Sequence, residues 1–191
     1  MKKRLFLAAI LLCCLALAGG GTLAFFSARE TAYNVITTGE LDMTLVETGE
    51  DGQPFPEDGI HGVVPGMEID KVVTVKNTGG VDFYARIAVS GTVTFENGKT
   101  EALDMKKIRL DIDEENWTKQ GDFYYYNRAL LAMGEDGMVD TTEPLFTTVT
   151  FGKDLGNKFQ NATVEILVDA QAVQSKNNTD SPLTAAGWES N

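Results

Sequence analysis

Apolar positions along this chain recur mainly at every second residue. Phe83, Ala85, Ile87 and Val89 fall on one face of an extended run, with Tyr84, Arg86 and Ser90 on the other. That alternation predicts a half-buried strand. Gly91 is expected to bend it before Thr92-Val93-Thr94-Phe95, and Glu96-Asn97-Gly98-Lys99 then reads as an Asn-Gly turn. Upstream, β-branched residues crowd Glu68 to Lys76 and stop at Asn77-Thr78-Gly79-Gly80, a turn signal. Downstream, Ile108, Leu110 and Ile112 alternate with Arg109 and Asp111. Phe146 to Phe151 is rich in strand formers, and Val164, Ile166, Val168 and Ala170 alternate with Glu165 and Asp169. An earlier strand is predicted from Val35 to Val46. Helical periodicity is confined to single turns at Leu103 to Lys107 and Arg128 to Met133. Many short strands joined by Gly and Asn turns predict an all-β fold, an antiparallel jelly roll or β-sandwich with short helical turns. Gly49 to Gly62 is the clearest loop, with four glycines, two prolines and four acidic residues. Ser175 to Ser181 is a second polar stretch.

The first residues break the pattern. Met1-Lys2-Lys3-Arg4 is basic, and Leu5 to Ala18 is an unbroken apolar run. Gly19-Gly20-Gly21 ends it, and Thr22-Leu23-Ala24 offers small residues where a signal peptidase reads them. Residues 1–24 are therefore read as a secretory signal cleaved after Ala24. A bilayer span takes roughly 20 apolar residues, more than this run supplies. The rival reading, an uncleaved anchor through Phe26, would carry the glycine break inside it. Both cysteines, Cys13 and Cys14, lie in the signal, so the mature chain has none. An exported protein without disulfides must be held by its core, and residues 25–191 are read as one β-sandwich domain that is long enough to bury one. Its N-terminal arm is residues 25–37.

Charge narrows the function classes. The chain has 191 residues, 16 basic and 28 acidic, for a net charge of -12. So acidic a protein is not expected to bind nucleic acid, which needs a basic face. His61 is the only histidine, and it lies in a glycine-rich loop. A zinc peptidase helix needs two histidines one turn apart around a glutamate, and a serine triad needs a placed histidine. Neither pattern occurs. The acidic clusters Asp111, Asp113, Glu114, Glu115 and Glu135, Asp136, Asp140 do not follow a twelve-residue calcium loop and read as solvated surface. No catalytic residue, metal ligand or cofactor is expected, and the protein is read as a non-enzyme. The aromatic run Trp117, Phe123, Tyr124, Tyr125 and Tyr126 is a candidate aromatic surface for sugars or a partner, although strand aromatics more often serve the core.

Three stretches carry a resemblance. Gly19-Gly20-Gly21-Thr22-Leu23-Ala24-Phe25-Phe26 is similar to signals handled by the SipW-type signal peptidase of Gram-positive bacteria. Thr38-Gly39-Glu40-Leu41-Asp42 resembles the opening of the mature chain in the TasA/camelysin family. Val64-Pro65-Gly66-Met67-Glu68, with the strand ending Lys76-Asn77-Thr78-Gly79, resembles its central block. A related subgroup of alternate-signal exported proteins is resembled by Trp117, Gly121 to Tyr126, Thr141 to Phe146, Ala170 to Gln174 and Trp188. The resemblance implies a secreted jelly-roll subunit of biofilm matrix or cell-surface fibres. Its partners would be the signal peptidase, further copies of itself and other matrix proteins, with membrane contact only before cleavage. The candidate polymerisation arm is Phe25, Phe26, Tyr33, Val35 and Ile36, an apolar start able to insert as a strand into a neighbour or to pair within its own sheet. Camelysin relatives are described as metallopeptidases, but no ligand motif here carries that activity over. The alternatives are a monomeric surface module that binds glycan or protein, and a camelysin-like secreted metalloprotease.

Overall fold

The computed structural model describes residues 28–31, 41–49, 52–134, 137–156, 159 and 161–189. The predicted signal, with Thr22, Leu23 and Ala24, lies outside the described residues. So do Phe25, Phe26, Tyr33, Val35 and Ile36 of the arm.

The fold is all-β, as the alternation predicts. Twelve strands are described: β1 (Ala28–Thr31), β2 (Met43–Thr48), β3 (Ile60–His61), β4 (Glu68–Asp70), β5 (Val72–Asn77), β6 (Phe83–Thr94), β7 (Thr100–Ala102), β8 (Ile108–Leu110), β9 (Trp117–Gln120), β10 (Phe123–Tyr126), β11 (Thr148–Phe151) and β12 (Thr163–Gln174). The first sheet runs β1-β12-β6-β10-β9, with β3 also on β12 and β7 also on β6. The second layer joins β2-β5 to β4-β11-β8. Backbone bonds from Lys71 and Val73 to Thr147 and Phe146, and from Leu145 back to Val73, stitch those two ladders together. All described strand pairs are antiparallel.

The core lies between the layers. Val73, Val75, Val149 and Phe151 of one meet Phe83, Ala85, Ile87, Val164 and Ala170 of the other in a single buried cluster. Trp117 and Tyr126 close one side of it, their ring centroids 5.0 Å apart. Full burial of such side chains contributes roughly 1.5–3 kcal/mol each.

Three boundaries differ from the sequence reading. The run from Glu68 to Lys76 is two strands broken at Lys71, whose side chain is buried. The strand read as bending at Gly91 keeps unbroken register with β12 through Gly91 to Thr94. Gly91 is required by close approach instead, because a Cβ there would lie 2.9 Å from Leu103 Cδ2 and 3.0 Å from the Glu165 carbonyl. Of the two helical turns, only the first forms, as a 3-10 turn at Met105–Lys107 capped by the Asp104 carboxylate. Arg128 to Met133 is irregular.

Candidate functional site

The strand edge of β12 is where the chain's own N-terminal arm meets the domain. On one flank β12 pairs with β6 along all of Thr163 to Gln174. On the other flank it is covered in two pieces. Residues Thr163 and Val164 pair with β3, and Asp169 to Ala172 pair with β1. Among the described residues, Glu165 to Val168 have no strand partner on that flank. A groove of about 350 Å³ opens there, lined by Glu165, Ile166 and Leu167 of β12, Glu47 of β2, Phe55 and Lys71. Loop residue Gly59 passes so close to β12 that a Cβ would lie 3.0 Å from the Val164 carbonyl, and its φ is +79°. Only glycine fits that crossing comfortably.

Lys71 sits in the wall of this groove, 1 % exposed. Its Nζ lies 2.9 Å from Glu47 Oε1 and 3.9 Å from the centroid of the Phe55 ring. Desolvation by burial lowers the Lys71 pKa, and attraction to Glu47 opposes the shift. The pair therefore rivets β2 to the break between β4 and β5 and closes one end of the groove.

A second buried cation lies on the outer face of the first sheet. Arg86 is 5 % exposed. Its Nε and Nη2 donate to Gln171 Oε1 at 2.9 and 2.6 Å, and Nη1 donates to the Tyr125 hydroxyl at 3.0 Å. Nη2 also donates to the Glu189 carbonyl at 2.6 Å. The guanidinium carbon stands 3.7 Å from the Phe123 ring centroid and 4.7 Å from that of Trp188. The C-terminal segment thus straps across a face that the alternation had assigned to water. Trp188 Nε1 donates to the Pro182 carbonyl, and the Tyr84 hydroxyl donates to the Thr179 carbonyl, so the strap is fastened along its length.

The candidate aromatic surface does not form one exposed face. Trp117, Phe123, Tyr125 and Tyr126 are buried, and only Tyr124 is half-buried. Trp117 and Tyr126 serve the core, whereas Phe123 and Tyr125 serve the Arg86 cluster. Strand pleating sends successive aromatics of β10 to opposite faces, and the two-residue turn Gly121-Asp122, by pairing Phe123 with Gln120, sets Trp117 opposite Tyr126. Gly121 has φ +62°, as the first position of a type II′ turn demands.

Three acidic residues of the two clusters, Asp111, Asp113 and Asp140, have structural work. Asp111 accepts bonds from Thr147 N, Thr147 Oγ1 and Thr148 N, which together with other local bonds hold its pKa low against the opposing effect of burial. Asp113 caps the turn at Glu115 and Asn116. Asp140 takes a two-pronged bond from Arg128 at 2.6 and 3.0 Å. Glu135 and Asp136 lie outside the described residues. His61 is a surface residue, bonded to Thr163 Oγ1 at 3.0 Å and Asp58 Oδ2 at 3.2 Å. Among the described residues no group of three or more His, Cys, Asp or Glu side chains could hold a metal ion. That donor set does not fit a zinc peptidase centre, which takes three protein ligands with an open fourth position.

The Lys71 pair and the Arg86 strap were missed for one reason. Each joins residues far apart in sequence, which no local pattern connects. Trp188, the one aromatic residue after Gln174, is the sequence signal that points to the strap.

Comparison with known families completes the picture. The family model for camelysin metallo-endopeptidase matches residues 1–136. No curated protein and no solved structure matches the chain. Among the described residues, no helix is long and apolar enough to cross a membrane. The family description does not support the expectation of a non-enzyme. What it does support is an exported or cell-surface protein of the Gram-positive kind. With residues 1–136 of 191 matched, the chain belongs to the TasA/camelysin family.

Proposed function

We propose that this protein is an exported structural subunit that assembles into cell-surface or matrix fibres by exchanging its N-terminal arm between copies. One observation carries the reading. Part of the arm, β1, already lies as an edge strand on β12, in the register Ala28 to Ala172 through Thr31 to Asp169. An edge strand at a chain terminus is the element most easily traded between copies, because the same backbone bonds form in cis and in trans. The uncovered stretch Glu165 to Val168 and its groove offer room for more strand than β1 supplies. Signal cleavage after Ala24 would free the arm and so act as the switch.

Electron microscopy with size-exclusion chromatography tests this on protein beginning at Phe25, beside the same protein with a blocking N-terminal extension. Filaments from the free-arm protein alone are expected. Two monomeric samples at high concentration would remove the mechanism.

The family description favours a second reading, a secreted metallopeptidase. Casein cleavage by the purified mature protein, abolished by a chelator, would establish it. The monomeric binding module has less support, since the aromatics it relied on are largely buried.

A further inference from the structure

The two sheets stand open to each other along one side. There β8 ends the second layer and β9 ends the first, and among the described residues no strand lies beyond either. Between them runs a groove of about 380 Å³. Its floor is Val89, Met105, Leu110, Ile112 and Tyr124, all half-buried and all packed against the main core. A second hollow of about 440 Å³ shares Ile112, Lys119 and Tyr124 with it and reaches Trp117, so the cleft follows β9 along its length. The core therefore meets water at a place where a closing strand would shield it.

The edge of β9 can accept such a strand. The two-residue turn makes Gln120 and Phe123 a bonded pair, so Thr118 and Tyr125 form the next. Lys119, between them, turns its N–H and C=O away from β10. Trp117 N, which points the same way, donates to the Asp113 carbonyl, so the open edge begins after it.

Charge selects the strand. Lys106, Arg109 and Lys119 line the groove; all three are exposed, and none is in an ion pair among the described residues. Lys119 Nζ stands 5.0 Å from the Tyr124 ring centroid, at the margin of the apolar floor. The acidic lining residues are Asp122 and, at the far end of the cleft, Glu114. In a protein of net charge -12, this cationic rim is a local reversal of sign. It repels a second copy of the same edge, since antiparallel pairing of β9 across copies would bring the two sets of cations together.

We propose that this cleft binds an extended acidic segment of a partner protein, added as a strand along β9, with alternate apolar side chains on the floor and carboxylates at the Lys106, Arg109 and Lys119 rim. A peptide meets three features at once: backbone groups for the edge, apolar side chains for the floor and acids for the rim. A polyanionic sugar or phosphate polymer meets only the last. The cleft lies at the opposite end of the first sheet from β1, so it does not depend on arm exchange.

The probe is a short fluorescein-labelled peptide of alternating glutamate and valine, added to protein beginning at Phe25 and followed by anisotropy. Saturable binding of one peptide per protein is expected. Arg109→Glu with Lys119→Glu should weaken it about tenfold or more, with melting curves confirming the fold. Lys76→Glu with Lys176→Glu makes the same change of net charge elsewhere and should leave the affinity within about twofold. N-methylation of the peptide amides should abolish binding, because it removes the bonds to the strand edge. No binding, or equal binding by the charge-reversed protein, would overturn the proposal. Polyglutamate or polyphosphate binding as tightly as the parent peptide would overturn it too, leaving a simple polyanion site. Filaments that form from the parent protein and fail in Arg109→Glu with Lys119→Glu would make a second copy the occupant, and would overturn it while leaving the fibre reading standing.

Discussion

Lys71 and Arg86 are both cations taken out of water, and the protein satisfies them by opposite means. Lys71 meets a carboxylate: Glu47 at 2.9 Å, with the Phe55 ring as its only other described contact of note. Arg86 meets no carboxylate among the described residues. It is held by an amide oxygen, a hydroxyl, a backbone carbonyl and the faces of Phe123 and Trp188. The difference follows from the groups themselves. An ammonium is compact and strongly hydrated, so its burial demands an opposite charge. A guanidinium is planar and weakly hydrated, and it can spread five donors over neutral acceptors while stacking on rings. The Lys71 pair therefore fixes a single seam between β2 and the β4–β5 break, whereas Arg86 gathers three separate elements, β10, β12 and the C-terminal strap.

Breaking the carboxylate should have the largest effect. Glu47→Ala leaves Lys71 buried without its counter-charge and is expected to cost about 3–5 kcal/mol, read from denaturant unfolding. Arg86→Lys keeps the charge and should still cost about 2–3 kcal/mol, because an ammonium cannot reach Gln171, Tyr125 and Glu189 together or stack on Phe123. An Arg86→Lys protein as stable as the parent would show that charge alone matters there. Replacing both members of the other pair, Glu47→Leu with Lys71→Met, should return stability to within about 1–2 kcal/mol of the parent or above it. A loss as large as that of Glu47→Ala would mean that the pair supplies more than it costs.

The smallest effect is a pH slope. Burial lowers the Lys71 pKa below 10.5, so in the window between its folded value and 10.5 the folded protein binds fewer protons than the unfolded chain. Stability tied to this group therefore rises with pH across that window. Urea unfolding at a series of alkaline pH values should show the rise in the parent and its loss in Lys71→Met. An identical slope in both proteins would assign it to other groups.

The same comparison explains what could be read from the sequence. Alternation placed Phe83, Ala85, Ile87 and Val89 on the inner face, where they are found against the core. The Asn97-Gly98 turn forms with Gly98 at φ +79°. Alternation also placed Arg86 and Tyr84 on the outer face, which is correct, and assigned that face to water, which is not. The cover comes from Trp188 and its neighbours about a hundred residues later, and a period-two pattern carries no information about a strap. Nothing local marks Lys71 for burial, because Glu47, its partner, lies on another strand. The arm was legible as apolar, but its seat on β12 depends on pairing that no local pattern encodes. The aromatic run was legible as strand, and period two already splits Phe123 and Tyr125 from Tyr124 and Tyr126; what it does not encode is the cover each face receives, Arg86 and Trp188 on one and the core on the other.

Assembly by arm exchange is the claim on which the functional reading depends. The most direct measurement uses mature protein lacking Phe25 to Tyr33, titrated with a peptide of that sequence and followed by fluorescence anisotropy of a label on the peptide. The account predicts a folded variant that remains monomeric and binds the peptide saturably, one per domain, at the vacated β12 edge. Undiminished filaments from the shortened protein, or a peptide that does not bind it, would contradict the account.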